Sequence, residues 1–503
     1  MLSKHLILIA VLCFCSLPNA KAQKEDAIWL LSNNSIAVGD KCGIDFNDLP
    51  PTVFIDYRKL GFFITSASIC DTTGSILFYT NGIYVANREH ATLWNSGNFN
   101  PGYASDYYSY PGLGFSQGAI IIPVPEQQDK YLIFHVSGEE FDAYGENQLQ
   151  PMHLGMSVVD LALDGGLGGI PVAKKNLHIV EDTIAKGRLT ASRHANGRAW
   201  WVVTHKFYSD VFYKVLVQPD TLLVSSQAVG PVQTTNDVLG MAKFSPDGSK
   251  YCFLGYEKNI DLYDFDRCSG ELSNHLQITV PDSAPPFPYT VGCEFSPGGR
   301  FLYVNTFTFL YQFDLWSQDI QGSIIEIASW DTTYLPTATW FFMPQRAPDG
   351  KIYISTYNST ESLHVINNPD SLGLACNFTQ HSFALPEHNT PVPNFPNYQL
   401  GRLEGSPCDT LFSDVEYIAS EGYKGFSLAP NPATDRVEVN YNLEEKALLT
   451  ITDMYGKAVL LQMLYPYFTN RIIYTSHLPE GMYQVTLMQG EHIIATEKLV
   501  LQR

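Results

Sequence analysis

Gly114-Phe115-Ser116-Gln117-Gly118 is the most nucleophile-like string in the chain, because G-x-S-x-G marks the serine of α/β-hydrolases when a strand precedes it and a helix follows. Here the next residues are AIIIPVP, a strand ending in prolines, so the context of an exposed nucleophile elbow is missing. Asp261, Asp264 and Asp266 invite a calcium reading, but no glycine and no distal glutamate stand at EF-hand spacing. In an alternating strand Asp264 and Asp266 would share one face as solvated carboxylates. His194 and His205 flank one strand and read as core or turn histidines. No C-x-x-C and no Cys/His pair has zinc spacing, so the sequence offers no catalytic set, no metal site and no cofactor site.

Recognition by aromatic rings is the chemistry that two insertions do suggest. Residues 95–115 read NSGNFNPGYASDYYSYPGLGF and residues 137–154 read SGEEFDAYGENQLQPMHL. Tyr103, Tyr107, Tyr108, Tyr110 and Tyr144 are expected to meet Glu139, Glu140 and Asp142 on one rim and to bind a ligand there. A tyrosine offers a large apolar ring and a hydroxyl at small entropic cost, which suits a glycan or a protein surface. Loops rich in Tyr and Pro also pack on themselves.

Positioning these insertions is the task of a repeat. The stretch LGMAKFSPDGSKYCFLGYEKNIDLYDFD, residues 239–266, is an apolar segment, a Pro-Asp-Gly turn, an alternating run, a polar turn and a second alternating run. That is a three-stranded meander. Its turn glycine recurs as Gly197, Gly248, Gly299 and Gly350, 51 residues apart each time. Looser copies stand at Gly74 and at AIIIPVPEQQDKYLIFHV, where Gln128-Asp129 takes the turn's place. Six units result, each with room for a fourth strand, which predicts WD40-like propeller blades stacked in a ring. Both insertions fall in the loops that open on one common face of such a ring.

The ends suggest how the ring closes. Strand candidates at 28–32, 43–47 and 52–57 lack an innermost partner, and 392–400 is a lone candidate after the sixth unit. Together they predict a seventh blade and a β-propeller over residues 23–405, with a ring of six blades as the alternative. Before it, residues 1–22 carry Lys4, an apolar run from Leu6 to Leu17 and Ala20-Lys21-Ala22, the pattern of a secretory signal peptide. The run is shorter than the ~20 residues of a spanning helix, and no transmembrane segment is expected.

The net charge of −20 falls wholly on residues 23–424, with 23 basic against 43 acidic residues. A nucleic-acid partner is excluded, since such binding rests on cationic side chains neutralising phosphates. Beyond the signal lie seven cysteines, an odd number that leaves at least one free thiol. Cys376 with Cys408 is the first pairing to consider, although connectivity does not follow from sequence.

DAIWLLSNN, CGIDFN, CDTTGSILFYTNG, QGAIIIPVPEQQDKYLIF, HANGRAWWVVTH, FSPDGSKYCFLGYEKNIDLYDFD and PNFPNY resemble the extracellular propeller of many Bacteroidetes surface proteins. The likeness runs through residues 27–400 and implies a fold and a location rather than an activity. Residues 406–424 are a polar linker. Residues 425–503 then restart as short alternating strands with Asn-Pro, Tyr-Gly and Pro-Glu-Gly turns, which predicts a small immunoglobulin-like β-sandwich. Pro430-Asn431-Pro432, Asp453 with Gly456, Gly481 with Tyr483, and Lys498 of the terminal Lys-Leu-Val resemble the C-terminal sorting domain of type IX secretion. That resemblance implies the type IX secretion machinery as a partner and an outer-membrane surface or extracellular destination. The fold expected is thus all-β, a seven-bladed β-propeller followed by the sandwich. The function expected is that of a non-enzymatic binding protein. A propeller-type polysaccharide lyase or glycosidase, and a structural surface component, are the alternatives.

Overall fold

A Pro-Asp-Gly turn folds the chain back only if its last residue takes positive φ, which glycine does without steric cost. In the computed structural model Gly197, Gly248, Gly299 and Gly350 have φ of 71°, 73°, 74° and 79°. Gly74 is at 87°, and Asp129, standing where the third unit lacks glycine, takes 61°, a conformation that aspartate tolerates. The structure describes residues 24–33, 38–107, 111–143, 146–233, 240–255, 259–281, 289–409, 426–454, 457–466, 468–476, 478–489 and 492–502. The signal-peptide expectation lies outside them.

Between these turns the alternating runs become antiparallel sheets of sequential strands. The described residues up to Asp409 form one unit, and among them seven sheets follow one another along the chain. The first two, over 28–58 and 67–87, have three strands each; the five that follow, over 119–180, 190–228, 242–279, 290–329 and 341–389, have four. Within the third sheet a separate hairpin, Glu139–Ala143 paired with Glu146–Gln150, is inserted between the second and third strands. Burial follows strand order. The leading strand Thr290–Phe295 is buried throughout, whereas the last strand Leu222–Ala228 is mostly exposed. Leading strands therefore read as continuous apolar runs, such as Ile120-Ile121-Ile122, because both of their faces are covered. This is the sheet order of a β-propeller.

Successive sheets are joined by hydrogen bonds. Cys70 N–H donates to Glu25 O at 2.8 Å, Thr65 Oγ1 to Phe115 O at 2.6 Å, and Gln150 Nε2 to Ile184 O at 2.7 Å. Arg267 Nε donates to Arg193 O at 2.9 Å, Thr290 Oγ1 to Gly255 O at 2.5 Å and Asn305 Nδ2 to Phe342 O at 2.9 Å. Thr390 N–H reaches Ser32 O at 3.1 Å, so the last sheet meets the first.

Residues 392–400 were the expected innermost strand of the first sheet, and here the structure differs. They form no strand, and the first sheet takes all three of its strands from residues 28–58. Pro393 and Pro396, with Pro391 just before them, remove donors that a central strand needs. The segment is instead buried against the leading strands. Asn394 N–H donates to Ser66 O at 2.8 Å, and its Nδ2 donates to Ala119 O at 3.0 Å and Leu189 O at 3.1 Å. Tyr398 Oη donates to Ile121 O at 2.7 Å, and Asn397 Nδ2 to Pro246 O at 2.7 Å.

Cys408 pairs with Cys268, not with Cys376, which is a buried free thiol. The disulfide ties the end of the unit to the turn after the third strand of the fifth sheet, across 140 residues of sequence. In residues 410–503, the second unit, a three-stranded sheet (427–429, 436–440, 470–474) and a four-stranded sheet (447–452, 458–464, 481–489, 492–501) enclose a separate core that includes Val437, Leu449, Val485 and Leu499.

Two outcomes follow. A Cβ at Gly248 would stand 2.8 Å from Arg267 Cδ and Ser192 Oγ and 2.9 Å from Leu400 Cδ2, at positive φ. Gly248→Val is expected to cost about 1–3 kcal/mol from backbone strain, plus these contacts, and thermal melting of the full chain checks it. An unchanged midpoint would contradict the turn. Cys408→Ser should lower stability by about 2–4 kcal/mol, read as a shift of the denaturation midpoint relative to wild type.

Candidate functional site

The predicted rim is built on a short helix, Tyr103–Tyr107, lying against the inserted hairpin. Ala104 N–H donates to Gly138 O at 2.8 Å and Tyr103 N–H to Glu139 Oε2 at 3.2 Å, which pins the helix start to the hairpin. Gly102 is required at this joint: its φ is 147°, and a Cβ there would lie 2.2 Å from Glu139 Oε1. Four residues apart on the helix, Tyr103 and Tyr107 stack with centroids 4.7 Å apart, and Tyr107 is 72% exposed. Glu140 is exposed beside Glu139, and Asp142 lies opposite Asn147 in the hairpin. Tyr103, Tyr107 and Glu139 are thus brought together. Tyr108, Tyr110 and Tyr144 lie outside the described residues.

The other candidates are structural. Ser116 is buried and donates to Gly240 O, while Gln117 beside it bridges Ala242 N–H at 2.7 Å and Ala242 O at 2.8 Å, so the G-x-S-x-G string joins two sheets. Asp261 is buried and accepts from His275 Nε2 at 2.6 Å. Asp264 pairs with Lys250, and Asp266 closes its turn by accepting from Cys268 N–H at 2.8 Å. No group of metal ligands occurs among the described residues. His194 accepts from Asn196 N–H at 3.1 Å, leaving Nε2 to donate to Cys268 O at 3.0 Å. His205 Nδ1 accepts from Arg188 at 3.0 Å, and burial, with that guanidinium, holds its pKa well below the ordinary value.

A cavity of about 260 Å³ that the insertions do not point to lies where leading strands run into their turns. Residues 95–115 lead into the start of the strand Ala119–Pro123, whereas this cavity gathers at strand ends and turns, with Lys243, Pro246, Glu294, Pro297, Gln345, Arg346 and Pro348 in its wall. Lys243 and Glu294 form an ion pair of 3.0 Å, almost fully buried. Lys243 Nζ also donates to Gln345 Oε1 at 2.6 Å, and Glu294 accepts from Arg346 N–H at 3.2 Å. Burial pushes the carboxyl of Asp26, in the same wall, up to about 6, against smaller lowering effects of a backbone N–H and Arg346. A signal for this site was present in the sequence. Lys243, Glu294 and Gln345 are one repeat of 51 residues apart, a polar side chain at the same position of three apolar strands.

Of the residues expected to carry the sorting signal, Asn431 and Lys498 meet in the second unit. Asn431, between Pro430 and Pro432, uses both ends of its amide on the final strand: Nδ2 donates to Lys498 O, and Oδ1 accepts from Val500 N–H at 2.9 Å. Ala433 N–H adds a bond to Val500 O at 2.8 Å. Asp453 holds its turn by accepting from Lys457 N–H at 3.0 Å, and Tyr483 Oη donates to Pro479 O at 2.8 Å. Gly481 opens that strand at a φ of 148°, and Gly456 lies outside the described residues.

Residues 427–502 match the family of secretion system C-terminal sorting domains. No curated protein matches the chain. Among solved structures, a candidate 6-phosphogluconolactonase from Bacteroides uniformis is 13% identical at a TM-score of 0.39, over 73% of this chain and 98% of that one. The periplasmic gluconolactonase of Pseudomonas aeruginosa is 11% identical at 0.34, over 73% and 97%. The extracellular domain of a candidate hybrid two-component system from B. thetaiotaomicron is 9% identical at 0.39, over 95% and 56%. Likenesses this remote say nothing about activity. No helix among the described residues is long and apolar enough to cross a membrane. Residues 427–502 are a type IX C-terminal sorting domain, and the chain carrying it behind a β-propeller is exported to the cell surface or the extracellular space.

Proposed function

We propose that this exported protein is a non-enzymatic binding module. Residues 23–405, after a signal peptide over 1–22, form a closed ring of seven blades; residues 406–424 link it to an immunoglobulin-like sorting domain over 425–503. The hydrogen bonds that join each sheet to the next, and the last to the first, support the count of seven. The ring is a scaffold that presents the tyrosine rim to a glycan or protein surface, and the type IX machinery is the partner of the tail.

The observation that carries this reading is the exposed Tyr107 ring, stacked on Tyr103 and held by the anchored helix start. A ring fixed before binding loses little entropy when a ligand packs on it, which is how a solvent-facing aromatic becomes a binding hot spot. Glu139 and Glu140 beside it supply acceptors for ligand hydroxyls.

Glycan-array binding of the full-length secreted protein tests the rim. Tyr107→Ala is expected to reduce the signal about tenfold or more while stability stays within about 0.5 kcal/mol, as for other exposed positions. A wild type that binds no glycan, or a variant that binds as well as wild type, would defeat the glycan reading. For the tail, Asn431→Ala removes two hydrogen bonds to the final strand, worth about 1–3 kcal/mol together. Fractionation should find the variant retained in the periplasm with a protease-resistant propeller. Equal surface or medium levels of variant and wild type would show that Asn431 has no part in sorting.

A further inference from the structure

Three imidazoles stand together at the root of the hairpin that carries Glu139 and Glu140. In the third sheet Gly155 is paired with His135 on one side and with His178 on the other. The glycine leaves room for the His135 ring, since a Cβ at Gly155 would stand 2.5 Å from His135 Cε1. His153, two residues earlier, stacks on His178 with centroids 3.9 Å apart. Phe99 packs on His135 with centroids 4.7 Å apart. His135 is 1% exposed, and neither of its ring nitrogens has a hydrogen-bond partner among the described residues. An imidazole so placed is held neutral, because a cation there would have neither water nor an acceptor. Burial, with the two neighbouring histidines, takes its pKa down to about 3.

The groups that enclose this ring also hold the rim. Phe99 leads into the helix Tyr103–Tyr107, and Asn100 Nδ2 beside it donates to Val136 O at 2.9 Å, one residue from His135. His153 closes the base of the hairpin, where Ser137 N–H donates to His153 O at 3.1 Å and His153 N–H donates to Ser137 Oγ at 3.2 Å. Two carboxylates act on the outer histidines: Glu181 pairs with His178 Nδ1, and Glu181 and Glu139 both favour a proton on His153, against burial and the His178 ring. Neither acts on His135, and Phe99 and Gly155 bring no charge to it. His135 can take a proton only if Phe99 or the hairpin root moves away. We propose that the three histidines form an acid-operated latch, which holds the hairpin root and the run-in to the helix together while neutral and releases both when protonated, so that the tyrosine rim loses its fixed geometry. The open form binds a proton near the ordinary pKa of about 6.5 and the closed form only near 3, so closure is fully stable above about pH 6.5 and weakens as pH falls below it. Release of a ligand in acid rests on the rim as its site; the latch itself does not.

Hydrogen exchange of the full-length secreted chain, read by mass spectrometry between about pH 7.5 and 5 and corrected for the intrinsic rate, tests the latch without any ligand. Protection of residues 99–107 and 150–154 is expected to fall about tenfold per pH unit below about 6.5, the effect of one proton taken up on opening, while the sheets over 190–389 keep theirs. His135→Leu should abolish the fall. Because His135 is buried, a second variant guards against misfolding: His153 is half-buried, and His153→Gln should make the fall shallower. Protection that stays flat with pH in the wild type, or that falls equally in every sheet, overturns the proposal. So does a fall as steep as wild type in His135→Leu, or in His153→Gln where His135→Leu does not fold. None of these outcomes depends on whether the rim binds a glycan, so the two readings fail separately.

Discussion

A sheet whose leading strand faces an axis has an edge there with no strand beside it, and the backbone groups on that edge still require partners. This protein meets the requirement with side chains. Asn394 accepts from Gln117 Nε2 at 3.2 Å and donates to the carbonyls of Ala119 and Leu189, while its own N–H reaches Ser66. Gln117 passes the connection on to Ala242. Four sheets are therefore joined through two buried amides. Tyr398 and Asn397 extend the same arrangement to Ile121 and Pro246.

The tail uses the same device on a smaller scale. The amide of Asn431 spans the backbone of the final strand from Lys498 to Val500, so the first turn of the unit and its last residues form one surface. Residues far apart in the sequence, Asn431 and Lys498, are thereby brought together in space. Leu499 and Leu501 are buried, which fixes the strand carrying Lys498 to the core rather than leaving it as a loose end.

Much of this was legible in the sequence because it repeats. Turn glycines at constant spacing specify the turns, and even the exception, Asp129, kept the backbone conformation of the glycine it replaces. Of the residues expected on the rim, Tyr103, Tyr107 and Glu139 do meet. What failed were features that repeats do not encode. Residues 392–400 alternate enough to suggest a strand, but their prolines suit a path across strand ends, and burial there is set by tertiary contacts. The partner of Cys408 is 140 residues away, a separation that carries no local signal. The cavity was overlooked for a different reason. Lys243, Glu294 and Gln345 each look like an isolated polar residue until neighbouring strands bring them together.

Asn394, Asn397, Tyr398 and Cys408 all lie between 391 and 408, after the last sheet of their unit. Synthesis and export are vectorial, so every sheet emerges before the segment that joins them, and the axis stays unfinished until nearly the whole unit has passed. Completion of the fold is thus a report of chain length. Only a chain read through to the residues just before the sorting domain can close its own centre, and the same reading frame then supplies the address. A product ended before residue 391 lacks both the closing segment and the sorting domain.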